Sequence, residues 1–407
     1  MKSIIINPIG RTIKTEIQLA SSKSESNRAL IINALTGFEG DLRNISAARD
    51  TQTMLRLLQS QDTVADVLDA GTTMRFLTAY FAITGQQKTM TGTARMCERP
   101  IGILVDALRI LGAKIDYQNK EGYPPLALSG FQYLGNNQLA IRGDVSSQYV
   151  SALLMIAPTL PNGIELTLTG NVGSRPYIEM TLQQMAAFGI GYVADWTTNT
   201  IKIPAQAYKP VVYEIESDWS GASYWYSLVA MANDAEIELL GLKEKSLQGD
   251  SAIVQIMKPL GVQSEFTSRG VKLSKIAAKT SLEWDFSDCP DLAQTVAVCC
   301  AVKNIKLTLT GIESLKIKET DRIAALQAEL PKVGGELVEI EKNTKYIVRS
   351  LQSEIQNQVP INTYDDHRMA MAFAPVGVLR SIEILEPLVV AKSYPSFWDD
   401  MARVCVL

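Results

Sequence analysis

One succession of elements recurs six times along the chain, and it constrains the fold more than any single motif does. Each copy has a small-polar or acidic opening, an apolar helix, a β-branched strand, a polar or basic turn, a second helix and usually a closing glycine. The openings are SSKSESNRALIINAL from Ser21, DAGTTMRFLTAYFAI from Asp69, GDVSSQYVSALLMIA from Gly143, SDWSGASYWYSLVAM from Ser217, SDCPDLAQTVAVCCA from Ser287 and YDDHRMAMAFAPVGV from Tyr364. From the second opening onward they stand about 70–77 residues apart, room for a βαβαββ unit. The first interval is only about 48, so the first unit is expected to lack a hairpin, and between Leu58 and Val67 there is barely room for one strand.

The pieces inside the repeat agree with that reading. Residues 164–170 (IELTLTG), 235–241 (AEIELLG) and 305–311 (IKLTLTG) are β-branched or alternating strands that stop at glycine. The second helices, ERPIGILVDALRILGAK, RPYIEMTLQQMAAFGI, DSAIVQIMKPLGV and ETDRIAALQAELPKVGG, each carry an i, i+3, i+4 apolar stripe. Six units divide as three plus three. One domain is expected from 1–20 with 217–407 and the other from 21–216, with a hinge near 20–22 and 215–218. The strand beginning Ile4-Ile5-Ile6 and running on toward Ala20 is expected to pair with the later units. A common starting place for every first helix brings helix N-termini toward one cleft, where their dipoles favour anions.

At 407 residues, two domains are the natural expectation. Apolar residues at 46% and charged residues at 20% fit a soluble globular protein, and no apolar run is long enough for a membrane span. The cytoplasm is the expected location. Five cysteines without metal-ligand spacing and a single histidine fit reduced thiols and no zinc cluster. A net charge of −4 argues against general nucleic-acid affinity, so any anion site must be local.

Basic residues do recur at element ends. In residues 315–322 (LKIKETDR), a helix opening there would set Lys318 and Arg322 four apart on one face, with Glu319 roughly 100° round. Cations at a helix N-terminus hold an anion, and a carboxylate among them moves a proton; a solvated first turn is the plainer alternative. Lys23, Ser24 and Arg28 put two cations and a hydroxyl before a helix. Gly71 opens another where a ligand can approach the backbone. Arg95 and Arg99 sit in a loop ahead of a helix that Pro100 can begin. Ser146, Ser147 and Gln148, and then Ser174 and Tyr177, offer hydroxyls and an amide, groups that suit a phosphate monoester or a plain cap. Asp288 could cap the fifth first-helix, leaving Asp291 facing out as a base. Arg368 and Lys392 close the set, and His367 could orient Asp366 or Arg368.

Together SKSESNR (22–28), AGTTMR (70–75), RMCERPIG (95–102), DVSSQ (144–148), SRPY (174–177), QGD (248–250), PDLA (290–293), KETDR (318–322), DHRMAM (366–371) and AKSYP (391–395) resemble the 5-enolpyruvylshikimate-3-phosphate synthase family over almost the whole chain. The resemblance implies an α/β (α+β) fold of two domains, each of three βαβαββ units, the inside-out α/β barrel of enolpyruvyl transferases. It implies transfer of the enolpyruvyl group of phosphoenolpyruvate to the 5-hydroxyl of shikimate 3-phosphate, both small-molecule substrates, without metal or organic cofactor. A monomer is expected because no long apolar surface stretch is evident, and the charge balance and lack of an apolar span lead to the expectation of no nucleic-acid or membrane partner. It implies shikimate 3-phosphate ligands Lys23, Ser24, Arg28, Ser146, Ser147, Gln148, Ser174, Tyr177, Asp291, Ser314 and Lys318. Phosphoenolpyruvate would fall to Lys23, Gly71, Arg95, Arg99, Gln148, Arg322, Arg368 and Lys392. Asp291, Glu319 and Lys23 would be catalytic, with Glu319 protonating the methylene carbon. The chain departs from the family pattern at Ala20-Ser21, Asp69, Phe76 and Ser314, none of them a charged catalytic position. Gly71 is expected to leave room that an alanine would fill, and glyphosate is expected to compete with phosphoenolpyruvate.

Overall fold

Parallel strands cannot be joined by a tight turn, so a repeat that sends strand into helix into strand must build parallel pairs with the helix as crossover. The computed structural model, which describes every residue but 1, 11, 145 and 352–356, has among these residues a parallel pair in each repeat, joined through a helix in four of them. Ser281–Asp285 runs parallel to Lys306–Thr310, and the hairpin Gly335–Glu341/Lys345–Ser350 adds to the second of these antiparallel. Val64–Asp66 and Lys88–Thr91, with the hairpin Ala113–Tyr117/Leu126–Phe131, follow the same order. So do Gln138–Arg142 and Ile164–Thr169, with Val193–Asp195/Thr200–Ile203.

Three repeats are completed by strands from far along the chain. Ile13–Gln18 lies parallel to Ala235–Leu240, Ile13 opposite Ala235. Ser3–Pro8 pairs antiparallel with Ile382–Leu385 and carries Cys405–Val406 on its other edge, the place a hairpin takes elsewhere. The first repeat is the short one: among the described residues Asp41–Arg43 pairs only with Val212–Glu214, in a two-stranded parallel sheet. It has no hairpin among the described residues because only residues 60–63 separate the end of helix Arg49–Gln59 from the next repeat's first strand.

The chain forms two compact units, Met1–Ser21 with Glu216–Leu407, and Ser22–Ile215. Each has its own core. The helices divide by the width of their apolar face. Trp219–Met231 buries every residue except Ser220, and Gly71–Ile83 buries all but its second and last residues; a helix apolar all round belongs in an interior. Within Ser22–Ile215 the three first-helices of the repeats, Lys23–Leu35, Gly71–Ile83 and Ser147–Ile156, pack on one another; Trp219–Met231, Ala293–Val302 and His367–Phe373 do so in the other unit. The second helices are amphipathic: Gly102–Leu111 buries Leu104, Val105, Leu108 and Leu111 and stops at Gly112, whose φ of +115° a side chain would resist. Among the described residues no helix is long and apolar enough to cross a membrane.

Candidate active site

In the unit Ser22–Ile215 the buried helices deliver functional groups at their N-termini. Ser22 Oγ accepts from the Glu25 amide at 3.3 Å, so the helix starts at Lys23, whose Nζ lies 3.2 Å from Asp50 Oδ2. One turn on, Arg28 is 2% exposed. Its Nε donates to Thr181 Oγ1 at 2.7 Å, its Nη1 to the Ser24 carbonyl at 2.9 Å, and its Nη2 to Ser151 Oγ at 3.1 Å and the Tyr177 carbonyl at 3.4 Å. The rings of Phe76 and Tyr177 lie 5.4 and 5.9 Å away. All four of these acceptors are neutral, and among the described residues no carboxylate forms an ion pair with Arg28. Burial lowers its pKa to about 10, against the opposing pull of Tyr177 and Glu25, and it stays cationic at neutral pH. A desolvated guanidinium held only by neutral groups favours a carboxylate or phosphate ligand.

Gly71 opens the second buried helix, which has no side-chain cap. The space above it is not free, contrary to the expectation from sequence. Both terminal nitrogens of Arg99 stand 2.8 Å from where a Cβ at Gly71 would lie, so the missing side chain seats this guanidinium. Arg95 belongs to a helical turn, Ala94–Cys97, capped by Thr93, where the sequence suggested a loop; it is exposed and 3.2 Å from Glu98. Ser146 caps the third buried helix by accepting from the Gln148 amide at 3.3 Å, and Gln148 Nε2 donates to Thr72 Oγ1 at 3.1 Å, joining the second and third repeats. Val145, within the same motif, lies outside the described residues. Ser174 takes a left-handed φ of +54° ahead of helix Arg175–Ala187, with no side-chain cap bond.

The other unit gathers charge of both signs. Asp321 caps a helix by accepting from the amides of Ile323 and Ala324 at 3.1 and 3.0 Å, so the helix is Arg322–Glu329. Lys318 lies outside it in extended backbone, and the expected pairing of Lys318 and Arg322 on one helix face is wrong because the Asp321 cap starts the helix later. They meet at Asp291 instead. Arg322 Nη1 is 2.9 Å from Asp291 Oδ1, Arg368 Nη2 2.9 Å from Oδ2, and Lys318 Nζ 4.0 Å from Oδ1. Arg322 Nη2 also reaches Glu319 Oε2 at 3.0 Å, and Lys392 Nζ stands 3.9 Å from the other Glu319 oxygen. Asp291 sits in the turn Pro290–Leu292 before helix Ala293–Val302; Asp288 does not cap that helix, whose preceding turn is entered without a side-chain bond. Ser314 is half-buried in the turn Glu313–Ile317. Burial alone would raise the pKa of Asp291, but Arg368, Lys318 and Arg322 together hold it well below the usual carboxylate range.

Three further carboxylates support these groups, none of them expected as a ligand from the motifs alone. Asp366 caps helix His367–Phe373 and binds Arg322 Nε at 2.7 Å, with His367 Nδ1 3.6 Å from its other oxygen. Asp250, in the Gln248-Gly249-Asp250 motif, accepts a short hydrogen bond from Ser220, which also lies 3.4 Å from Arg368 Nη2. Burial first, then the charge of Asp291, push Asp250 up to about 7 against the pull of Arg368. Asp50 holds Lys23. Asp366 and Asp250 could have been suspected from their motifs, whereas nothing around Asp50 announces it.

Repeated βαβαββ sheets with cations and carboxylates interleaved at buried helix ends define an α/β enzyme that handles small anionic molecules. The family model for EPSP synthase (3-phosphoshikimate 1-carboxyvinyltransferase) matches residues 56–401. The chain is 49% identical over 395 residues to a Bacteroides fragilis protein named 3-phosphoshikimate 1-carboxyvinyltransferase, covering 96% of this chain and 95% of that one. It is 36% identical over 425 residues to the Herminiimonas arsenicoxydans protein of the same name, covering 96% and 95%. EPSP synthase from Acinetobacter baumannii has the same fold, with a TM-score of 0.78 at 19% identity over 99% of this chain and 98% of that one. The chain belongs to the EPSP synthase family.

Proposed function

We infer that this chain transfers the enolpyruvyl group of phosphoenolpyruvate to the 5-hydroxyl of shikimate 3-phosphate, releasing phosphate, in the shikimate route to aromatic compounds. Membership of the family supports the reaction, and the observation that carries the residue assignment is the Asp291–Arg322–Glu319 cluster. In this reading Ser24, Arg28, Ser146, Ser147, Gln148, Ser174, Tyr177, Ser314 and Lys318 hold shikimate 3-phosphate, with Arg28 on its carboxylate. Lys23, Gly71, Arg95, Arg99, Arg322, Arg368 and Lys392 hold phosphoenolpyruvate, which Gln148 also contacts, and Lys23 and Asp291 also touch shikimate 3-phosphate.

The chemistry is addition then elimination. Asp291 takes the hydroxyl proton while the oxygen bonds to the enol carbon, and Glu319 delivers a proton to the methylene, giving a tetrahedral adduct. Elimination returns a methyl proton to Glu319, re-forms the double bond and breaks the carbon–oxygen bond to phosphate, with Lys23 assisting the charged groups. Asp291 is a weak base while three cations surround it. An incoming anion that shares Arg322 and Arg368 loosens those pairs and raises its basicity, so substrate binding prepares the base. Two phosphates and two carboxylates among the substrates account for the number of fixed cations. We read the protein as a cytoplasmic monomer open to glyphosate competition at the phosphoenolpyruvate subsite.

The test is phosphate release on mixing protein with phosphoenolpyruvate and shikimate 3-phosphate, with UDP-N-acetylglucosamine as acceptor in parallel. Release with shikimate 3-phosphate alone supports the reading; release with UDP-N-acetylglucosamine alone replaces it with the related transferase.

A further inference from the structure

Helix Arg322–Glu329 is tied at both ends to one short stretch of chain. At its start Arg322 binds Asp366. At its last residue Glu329, 1% exposed, accepts from the Tyr364 hydroxyl at 2.7 Å, from the Asn362 amide at 3.1 Å and side chain at 3.3 Å, and from Lys332 Nζ at 2.7 Å. Lys332 also donates to the Pro360 carbonyl at 3.0 Å. Glu329, Lys332, Pro360, Asn362 and Tyr364 have no part in the chemistry above, yet the stretch 360–364 leads directly into Asp366 and Arg368.

The lengths explain why two ties matter. Eight helical residues put the α-carbons of Arg322 and Glu329 ~10 Å apart. The chain from Asn362 to Asp366 reaches at most ~14 Å when extended. It is not fully extended, because Tyr364 and Asp365 take left-handed φ values of +54° and +55°, a conformation side-chain-bearing residues enter reluctantly. The helix therefore acts as a ruler: with Glu329 fixed to Tyr364 and Asn362, little slack remains, and Asp366 is presented to Arg322 at one position. Because Asp366 also caps the helix that begins His367-Arg368, accepting from the Arg368 amide at 2.8 Å, the same placement fixes Arg368.

We propose that Glu329 and Tyr364 are positioning residues, a clamp that sets the spacing of Arg322 and Arg368 and so the affinity of this unit for phosphoenolpyruvate. The inference rests on the assignment of that substrate to these two arginines. The clamp touches no substrate. It holds two strained residues in the one arrangement that lets both guanidinium groups meet the same anion.

Tyr364→Phe tests it, removing one oxygen from a side chain that is 39% exposed and so disturbing the core least. Steady-state kinetics should show the KM for phosphoenolpyruvate rising about tenfold, with the KM for shikimate 3-phosphate within twofold of its starting value and kcat falling by a smaller factor, since Arg322 also aligns Asp291 and Glu319. Glu329→Gln should move the same constant in the same direction, and the double variant should add little to either single one. Variants that lose thermal stability while both KM values stay put, or that shift both KM values equally, would overturn the clamp and leave a plain structural tie. Calorimetric titration with phosphoenolpyruvate, alone and with shikimate 3-phosphate present, separates the two inferences. Wild type that binds it but makes no product overturns the reaction while the variants still report on the clamp; wild type that binds none overturns both.

Discussion

Arg28 and Arg322 are both buried guanidinium groups, one in each unit, and they are held by opposite means. Arg28 rests on hydroxyls, carbonyls and two aromatic faces. Arg322 is surrounded by Asp291, Glu319 and Asp366. Burial pulls the pKa of Arg28 down, whereas for Arg322 the three carboxylates outweigh burial and raise it. A cation held by neutral dipoles keeps its charge available to a ligand. A cation held by carboxylates spends its charge fixing them, and in return keeps them ionised and aligned for proton transfer. One arrangement suits recognition, and the other joins recognition to chemistry.

That contrast can be broken most severely at Glu319. Glu319→Gln should lower turnover by about 10²–10⁴-fold while both substrates still bind, measured as phosphate release beside calorimetric titration. Unchanged turnover would remove Glu319 from the reaction. The stability comparison comes next. Asp366→Ala leaves a buried guanidinium short of a charged partner and should cost about 3–5 kcal/mol in urea unfolding. Thr181→Val takes one neutral acceptor from Arg28 and should cost only about 1–2 kcal/mol; equal losses would mean the two arginines are held alike after all.

Gly71→Ala is expected to act on binding alone. Its methyl would meet both terminal nitrogens of Arg99 at 2.8 Å, and because that guanidinium is the end of a flexible side chain it should shift, raising the KM for phosphoenolpyruvate severalfold with stability nearly unchanged. The last difference is in the pH dependence of stability. Asp250 binds its proton more tightly when folded, at about 7 against an ordinary value near 4, so its contribution to stability falls as pH rises across that window and levels off above it. Asp291 has the opposite sign: its pairs stabilise the fold above the ordinary aspartate range and are lost as acid protonates it. Asp250→Asn should therefore flatten the decline between about pH 4 and 7, by at most about 1.4 kcal/mol per pH unit, and leave the acid limb in place.

Much of the fold was legible in the sequence, because period and glycine stops are local properties. The short first repeat could be read from the spacing of its openings, and it is the two-stranded sheet Asp41–Arg43/Val212–Glu214. What could not be read was which distant strand completes a repeat in detail: Cys405–Val406 is too short to carry any pattern of its own. In the site, cations at element ends were visible because they stand beside Ser, Gly and Pro. The start of helix Arg322–Glu329 was misplaced because Lys-Glu-Thr-Asp-Arg has several acceptable caps, and only the bonds of Asp321 to Ile323 and Ala324 choose among them. Asp50 stayed hidden because its partner Lys23 lies on another helix, and a contact at that separation leaves no trace in spacing.

The two units also differ in when they can be finished during synthesis. Ser22–Ile215 is continuous, and all its strands have been made once Val212–Glu214 emerges. The other unit begins with Ser3–Pro8 and Ile13–Gln18, whose partners Ile382–Leu385 and Ala235–Leu240 are not yet translated. At synthesis rates of roughly 5–20 residues per second, Ser3–Pro8 waits on the order of twenty seconds or more with its edges unpaired. The bond from the Asp218 amide to the Ala20 carbonyl at 2.8 Å closes the chain behind the inserted unit. An early chain therefore carries one finished body and two open strand edges, and those edges are where a nascent-chain chaperone would have most to protect.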